Sequence, residues 1–205
     1  MLYFNTIESK TLDLLKQIQN NKQFSGTRLV GGTALALQIG HRKSIDLDFF
    51  GHIDLEPLEL NQELKEFGSV ITRSSGRRIQ RYMVCNIQVD FVEYDYPWLD
   101  KPITAEGLKL ASCRDIAAMK LSAITNRGTR KDFVDIALLL KMFSLSDMLS
   151  FYKKKFSDGE LFSVLKSLVY FNDAEDAPMP NMLIPFDWKT AKQTISTAVN
   201  TISYN

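Results

Sequence analysis

Residues 45–50 read Ile45-Asp46-Leu47-Asp48-Phe49-Phe50, two carboxylates set in an apolar run that Gly51 closes. Alternate side chains of a strand face the same way. The segment therefore predicts a strand with Asp46 and Asp48 on one face and Ile45, Leu47 and Phe49 turned into a core. A bare Asp-x-Asp is commonly a solvated surface pair, but the apolar flanks are unusual for an exposed acidic turn. Two adjacent carboxylates repel unless a cation sits between them. Hard oxygen donors at this spacing suit Mg²⁺ (or Mn²⁺), which leaves room for water and phosphate oxygens.

Working outward, Ile87-Gln88-Val89-Asp90-Phe91-Val92 places a third acid in a second apolar strand. Two metals of a phosphoryl-transfer site stand about 3.5–4 Å apart and share carboxylates. Asp90 suits that role, or that of base toward an attacking hydroxyl. The alternative is an isolated acid on a solvent face.

Upstream, Val30-Gly31-Gly32-Thr33-Ala34-Leu35 reads as a strand end, a glycine turn and a helix start. Helix N-terminal amides with glycine's freedom of approach make a phosphate cradle, to which Thr33 adds a hydroxyl donor or a helix cap. No Gly-Lys-Ser/Thr follows, so this is not a Walker loop. Between turn and acids lies His41-Arg42-Lys43-Ser44. A triphosphate calls for cationic donors besides metal, and Arg42 is the candidate, with an exposed loop cation as the alternative.

The wider pattern mixes strands with helices and then turns helical. Helix candidates at 7–20, 33–39 and 57–67 alternate with strand candidates at 27–30, 45–50, 70–72, 79–84 and 87–92. Turns fall near Ser74–Gly76 and Cys85–Asn86, and a last strand covers 109–111. Helices are then expected at 113–126, 130–143, 146–156, 159–171 and 188–202, with a loop at 173–185. This order predicts an α+β fold: a mixed sheet with flanking helices over 1–111, then a helical lobe over 112–205 that closes over the nucleotide site. In that lobe Lys120 reads, on its neighbours alone, as a snorkelling surface lysine. Asp132 and Asp135 share a helix face, and capping and salt bridges explain them without function.

Composition narrows the class. Hydrophobic residues at 45% and charged residues at 24% describe an ordinary globular chain rather than a disordered one. A formal charge of +1 over 205 residues does not advertise a general nucleic-acid binder. Cys85 and Cys113 lack metal or disulfide spacing, and with only His41 and His52 a zinc site is not expected. The start MLYFNTIESK does not read as a signal peptide, no stretch spans a bilayer, and a cytoplasmic protein is expected.

The four segments GGTALAL, HRKSIDLDFF, VDFVEY and KLSAITNRGTRKDFVDIALLL, in this order over roughly 30–140, resemble the AbiEii/AbiGii-type toxin branch (the MenT-like proteins) of the DNA polymerase β-like nucleotidyltransferase superfamily. The resemblance implies a glycine motif at Gly31, Gly32 and Thr33, and a metal pair at Asp46 and Asp48. It also implies a phosphate-contacting lysine at Lys120 and a motif acid at Asp132. Gly-Gly-Thr here stands where many superfamily members have Gly-Ser. It further implies a cognate antitoxin protein and an RNA (tRNA) acceptor. Toward RNA the residues offer Arg73, Arg77, Arg78 and Arg81 in the hairpin region and the run Lys153-Lys154-Lys155.

The expected activity is metal-dependent transfer of a nucleoside monophosphate from an NTP to an acceptor hydroxyl. Asp46, Asp48 and Asp90 would hold metal, and Arg42 and Lys120 would stabilise charge. The alternatives are an antibiotic-type enzyme with a small-molecule acceptor and a non-catalytic protein that binds nucleotide or a partner.

Overall fold

The structure, a computed structural model, describes residues 1–202. The chain forms two compact units, Met1–Asp95 with Pro102–Ala111, and Tyr96–Lys101 with the chain from Ser112 onward. The segment Tyr96–Lys101, inside the expected first lobe, thus belongs to the second unit.

The first unit holds a mixed sheet of seven strands: β1 (Thr27–Leu29), β2 (Leu47–Gly51), β3 (Val70–Ser75), β4 (Ile79–Val84), β5 (Ile87–Glu93), β6 (Ile103–Ala105) and β7 (Leu108–Leu110), in spatial order β3-β4-β5-β2-β1-β7-β6. Three helices accompany it, α1 (Ser9–Asn20), α2 (Gly31–Ile39) and α3 (Pro57–Lys65). The chain is α+β, as its pattern of elements predicts. β4 and β5 are joined by Cys85 and Asn86, both at positive φ, the backbone a two-residue hairpin turn requires. β6 was not expected. It forms a second hairpin with β7 through Glu106 and Gly107, also both at positive φ.

The core lies on one face of the sheet. β2 buries Leu47 and Phe49, β5 buries Val89 and Phe91, and β4 buries Tyr82 and Val84. Phe91 stacks between Phe49 and Phe24, with ring centroids at 5.2 and 5.1 Å. α1 brings Leu14, Leu15 and Ile18 to this unit's interior, and α3, started by a Glu56/Glu59 capping box, brings Leu60 and Leu64. Ile45, expected in the core, is 65% exposed. The strand begins only at Leu47, and the chain before it is irregular, so alternation does not reach back to Ile45.

The second unit is helical: α4 (Cys113–Asn126), α5 (Arg130–Leu139), α6 (Leu145–Lys155), α7 (Leu161–Leu168), α8 (Asn172–Glu175) and α9 (Trp188–Ile202). α5 stops short of Phe143 because the chain tightens, Lys141 and Met142 donating to the carbonyls of Leu138 and Leu139. The short α8 begins one residue ahead of the expected loop and occupies its first three positions.

A buried polar knot organises this unit. Asp115 in the first turn of α4 accepts from the Ser112 hydroxyl and from the amides of Leu99 and Asp100. Lys155 Nζ stands 2.7 Å from Asp115 Oδ1 and 2.7 Å from the Pro97 carbonyl, and 4.6 Å from the centre of the Trp98 ring. Both side chains are fully buried. Lys155 is therefore no part of a basic surface. The run read as Lys153-Lys154-Lys155 splits, because Lys153 turns to the carbonyls of Ser157 and Gly159 in the loop after α6. Breaking a buried pair strands a charge and costs about 3–5 kcal/mol. Lys155→Met should therefore lower urea-unfolding stability by that order, while Lys154→Met should stay within about 0.5 kcal/mol.

Candidate metal and nucleotide site

The acids of the first unit meet because of strand register. β2 and β5 run parallel, with Leu47 opposite Val89, Asp48 opposite Asp90 and Phe49 opposite Phe91. Leu47, Phe49, Val89 and Phe91 fill the core, so Asp48 and Asp90 project together from the other face. Next along the sheet, Arg81 of β4 is the register partner of Asp90. A row of charged side chains therefore crosses three strands: Arg81, Asp90, Asp48.

Asp90 is held from two sides. Arg81 Nε lies 3.2 Å from its Oδ2, and Gln88 Nε2 donates to its Oδ1 at 3.3 Å. Burial pushes the Asp90 carboxyl up. Arg81 and Gln88 pull it back, the charge of Asp46 adds to the rise, and the net displacement is upward. Asp46 thus stands near enough for its charge to be felt at Asp90. It lies just ahead of β2 rather than on it, and its carbonyl accepts from the Thr33 hydroxyl, which is also 2.8 Å from Ser44 Oγ. Thr33 is buried and makes no cap for α2. Its observed task is to tie the segment bearing Asp46 to that helix.

The glycine turn abuts this row. Gly31 has φ +69°, which favours glycine, and a Cβ there would lie 2.5 Å from Asp48 Oδ2. A Cβ on Gly32 would lie 2.2 Å from Arg42 Nη2. Arg42, for which an exposed loop position was the alternative, is 3% exposed and donates to the Lys43 carbonyl. Asp48 and Arg42 therefore occupy the space that side chains at 31 and 32 would fill.

These donors fit a hard divalent cation in kind: carboxylate oxygens on one sheet face beside a glycine-lined approach to a helix start. Among the described residues, no group of three His, Cys, Asp or Glu side chains is gathered as a ready metal cage. Asp90's oxygens face Arg81 and Gln88 instead.

Lys120 and Asp132 belong to the second unit. Lys120 is buried, not snorkelling at the surface, with Nζ 2.9 Å from Asp132 Oδ1 and 2.6 Å from Asp135 Oδ2. Both acids are fully buried. Asp132 also accepts from the Thr129 hydroxyl and pairs with Arg127 at 3.3 Å. Burial drives the Asp132 carboxyl up, but Lys120, Thr129 and Arg127 outweigh it and hold it below its ordinary 3.8.

Sequence reading missed Arg81 as a partner of Asp90, although the signal was present. With a two-residue turn at Cys85–Asn86, Val84 faces Ile87, and counting outward along the hairpin sets Arg81 opposite Asp90. Asp115 and Lys155 left no such trace, because nothing in their spacing marks a pair between α4 and α6.

A sequence profile of the family described as Nucleotidyl transferase AbiEii toxin, Type IV TA system matches residues 13–199. An uncharacterised protein of Aquifex aeolicus is 33% identical over 154 residues, 72% of this chain and 75% of that one. A putative nucleotidyltransferase from Helicobacter pylori has a similar fold, with a TM-score of 0.63 at 18% identity over 96% of each chain. So does MenT4, a nucleotidyltransferase toxin from Mycobacterium tuberculosis, with a TM-score of 0.59 at 17% identity over 96% of this chain and 86% of that one.

Because Asp132 is displaced downward, the stability its charge contributes is present above pH 3.8 and is lost as pH falls through its lower folded value. The melting-temperature gap between wild type and Asp132→Asn should be widest near neutrality and narrow in acid below that point. A gap independent of pH would contradict this account of the pair.

Proposed function

This chain belongs to the AbiEii nucleotidyl transferase toxin family, and from that premise we propose that it moves a nucleoside monophosphate from an NTP to an acceptor hydroxyl in a reaction dependent on Mg²⁺ or Mn²⁺. The observation that carries this reading is the registered pair Asp48 and Asp90, with Asp46 alongside, next to a glycine turn whose open side the ends of Asp48 and Arg42 occupy.

In the reaction the acceptor oxygen attacks the α-phosphorus. A new P–O bond forms, the bond to the β-phosphate bridge breaks, and pyrophosphate leaves with that electron pair. A bound divalent cation supplies Lewis-acid stabilisation of the phosphate charge. Asp46, Asp48 and Asp90 would hold it, and Asp90 is the residue to take the acceptor's proton. The start of α2 at Gly31 and Gly32 lets backbone approach the triphosphate, and Arg42 adds cationic charge beside it. Thr33 supports the turn from beneath. Lys120 and Asp132 follow the family pattern, the lysine as a phosphate contact and the acid as the group that fixes it.

An RNA acceptor, tRNA among the candidates, is favoured by the β3–β4 hairpin. Residues 70–84 contain four arginines and no acid, and residues 71–79 are all exposed. Arg78 pairs with Asp95 and Arg81 with Asp90. Arg73 and Arg77 form no ion pair among the described residues, and such cations suit backbone phosphates. A cognate antitoxin protein completes the reading.

Incubation of the purified chain with α-³²P NTPs and separated RNA, protein and small-molecule pools tests this. Label should enter RNA only with Mg²⁺ or Mn²⁺ present. Asp46→Asn should keep its melting temperature yet lose transfer by about a hundred-fold or more. Undiminished transfer by the folded variant would remove the mechanism, and label in the small-molecule pool alone would replace the acceptor.

The glycine turn gives an independent check. Gly31→Ala and Gly107→Ala both place alanine at positive φ, but a Cβ at 107 meets nothing within 4 Å. Each should lose about 1–2 kcal/mol of stability from backbone strain. Only Gly31→Ala should also lose binding of a fluorescent NTP, by ten-fold or more, a loss of at least about 1.4 kcal/mol.

A further inference from the structure

The row that carries Asp90 ends on an arginine to which nucleotidyl transfer gives no task. Arg81 Nε is on Asp90 Oδ2 at 3.2 Å, and Gln88 occupies Oδ1 at 3.3 Å. Both oxygens of the third acid are therefore engaged. A guanidinium and a divalent cation at its ligand distance of about 2.0–2.1 Å repel strongly if they share one oxygen. Each oxygen keeps a second lone pair, but that repulsion favours withdrawal of one of the two. Exposure decides which group moves: the Arg81 side chain is 52% exposed and the Asp90 side chain 13%. Asp90 is fixed in a strand whose neighbours Val89 and Phe91 are fully buried. Arg81 hangs from an exposed face of the hairpin and can swing into water at little cost.

We propose that Arg81 is a placeholder cation, which holds Asp90 in place and aimed along the row while no divalent cation is bound, and gives up Oδ2 when one is taken. This rests on the reading of Asp46, Asp48 and Asp90 as a metal site, and it adds a residue that sets how tightly that site binds. The device answers a difficulty built into the register. Like charges on adjacent strands are unfavourable, so Asp90 beside Asp48 needs a positive neighbour at every stage, and Arg81 supplies one before the metal does. Loss of a half-exposed ion pair on cation entry costs little, so the exchange remains reversible.

The test measures cation binding directly, by Mn²⁺ titration of the full chain followed by electron paramagnetic resonance at fixed ionic strength. Arg81→Gln should bind Mn²⁺ about two- to five-fold more tightly than wild type, the range expected when a competing surface ion pair is removed. Arg73→Gln removes the same charge from the same hairpin without touching Asp90, and it should change affinity less. In a second measurement, the Arg81 Nε–H resonance of ¹⁵N-labelled protein should shift on saturation with diamagnetic Mg²⁺, while that of Arg78, paired with Asp95, stays in place. Equal affinities for the Arg81→Gln and Arg73→Gln proteins, or an Arg81 resonance unmoved by Mg²⁺, would overturn the handover. If Asp46→Asn and Asp90→Asn both retain wild-type Mn²⁺ affinity, the metal site itself fails, and the handover with it. Loss of Mn²⁺ binding in those two variants with no response at Arg81 would leave the site standing and remove only the handover.

Discussion

The register between β2 and β5 fixes more of this molecule than any other contact. The alignment that sets Phe49 beside Phe91, with ring centroids 5.2 Å apart and planes nearly parallel, also sets Asp48 beside Asp90. Strands lie about 4.8 Å apart, so the two acidic residues leave the same face of the sheet from adjacent positions. A slip of one residue would separate them, but it would also turn Leu47, Phe49, Val89 and Phe91 out of the core. Full burial of one such side chain contributes roughly 1.5–3 kcal/mol, whereas a cross-strand pair matters by roughly 0.2–1 kcal/mol. Packing wins, and the two acids stay in adjacent positions because the core enforces it.

That balance explains why so much of the first unit was legible in its sequence. Alternation across Leu47–Phe50 and Ile87–Val92 carries both the core and the acids, so one pattern yields both. The turn at Cys85–Asn86 even specifies which residue faces Asp90. Legibility failed where backbone rather than alternation decides. Asp46 and Ile45 lie outside the strand, so Ile45 faces water, and Asp46 is positioned by Thr33 through its carbonyl. A hydroxyl spent on a main-chain oxygen leaves no mark in residue spacing. β6 escaped for a similar reason: it has three residues and depends on pairing with β7.

In the second unit the helices were readable from their period, and the charges inside were not. Lys155 ends a run of three lysines, and only tertiary structure separates it from its neighbours, burying it against Asp115, the Pro97 carbonyl and Trp98. Lys120 likewise sits among small apolar residues, which suggests a surface stem until Asp132 and Asp135 are seen closing on it. Periodicity can place a lysine on the inner face of a helix. It cannot say whether an acid on another helix waits there.

Buried and half-exposed charge pairs differ in kind, and the contrast bears on what each charged residue can do. Asp115 and Lys155 are wholly enclosed, as are Asp132 and Asp135. A pair taken fully out of water is expensive to open, so these groups cannot trade partners during a catalytic cycle. Arg81, half exposed, can. A mobile counterion is what the proposed exchange at Asp90 requires, while a lysine locked between two buried acids stays where they hold it. By that criterion Lys120 is a fixed element and Arg81 an exchangeable one. Substitutions at the two should therefore differ in kind, the first disturbing the fold around it and the second the ion occupancy of the row.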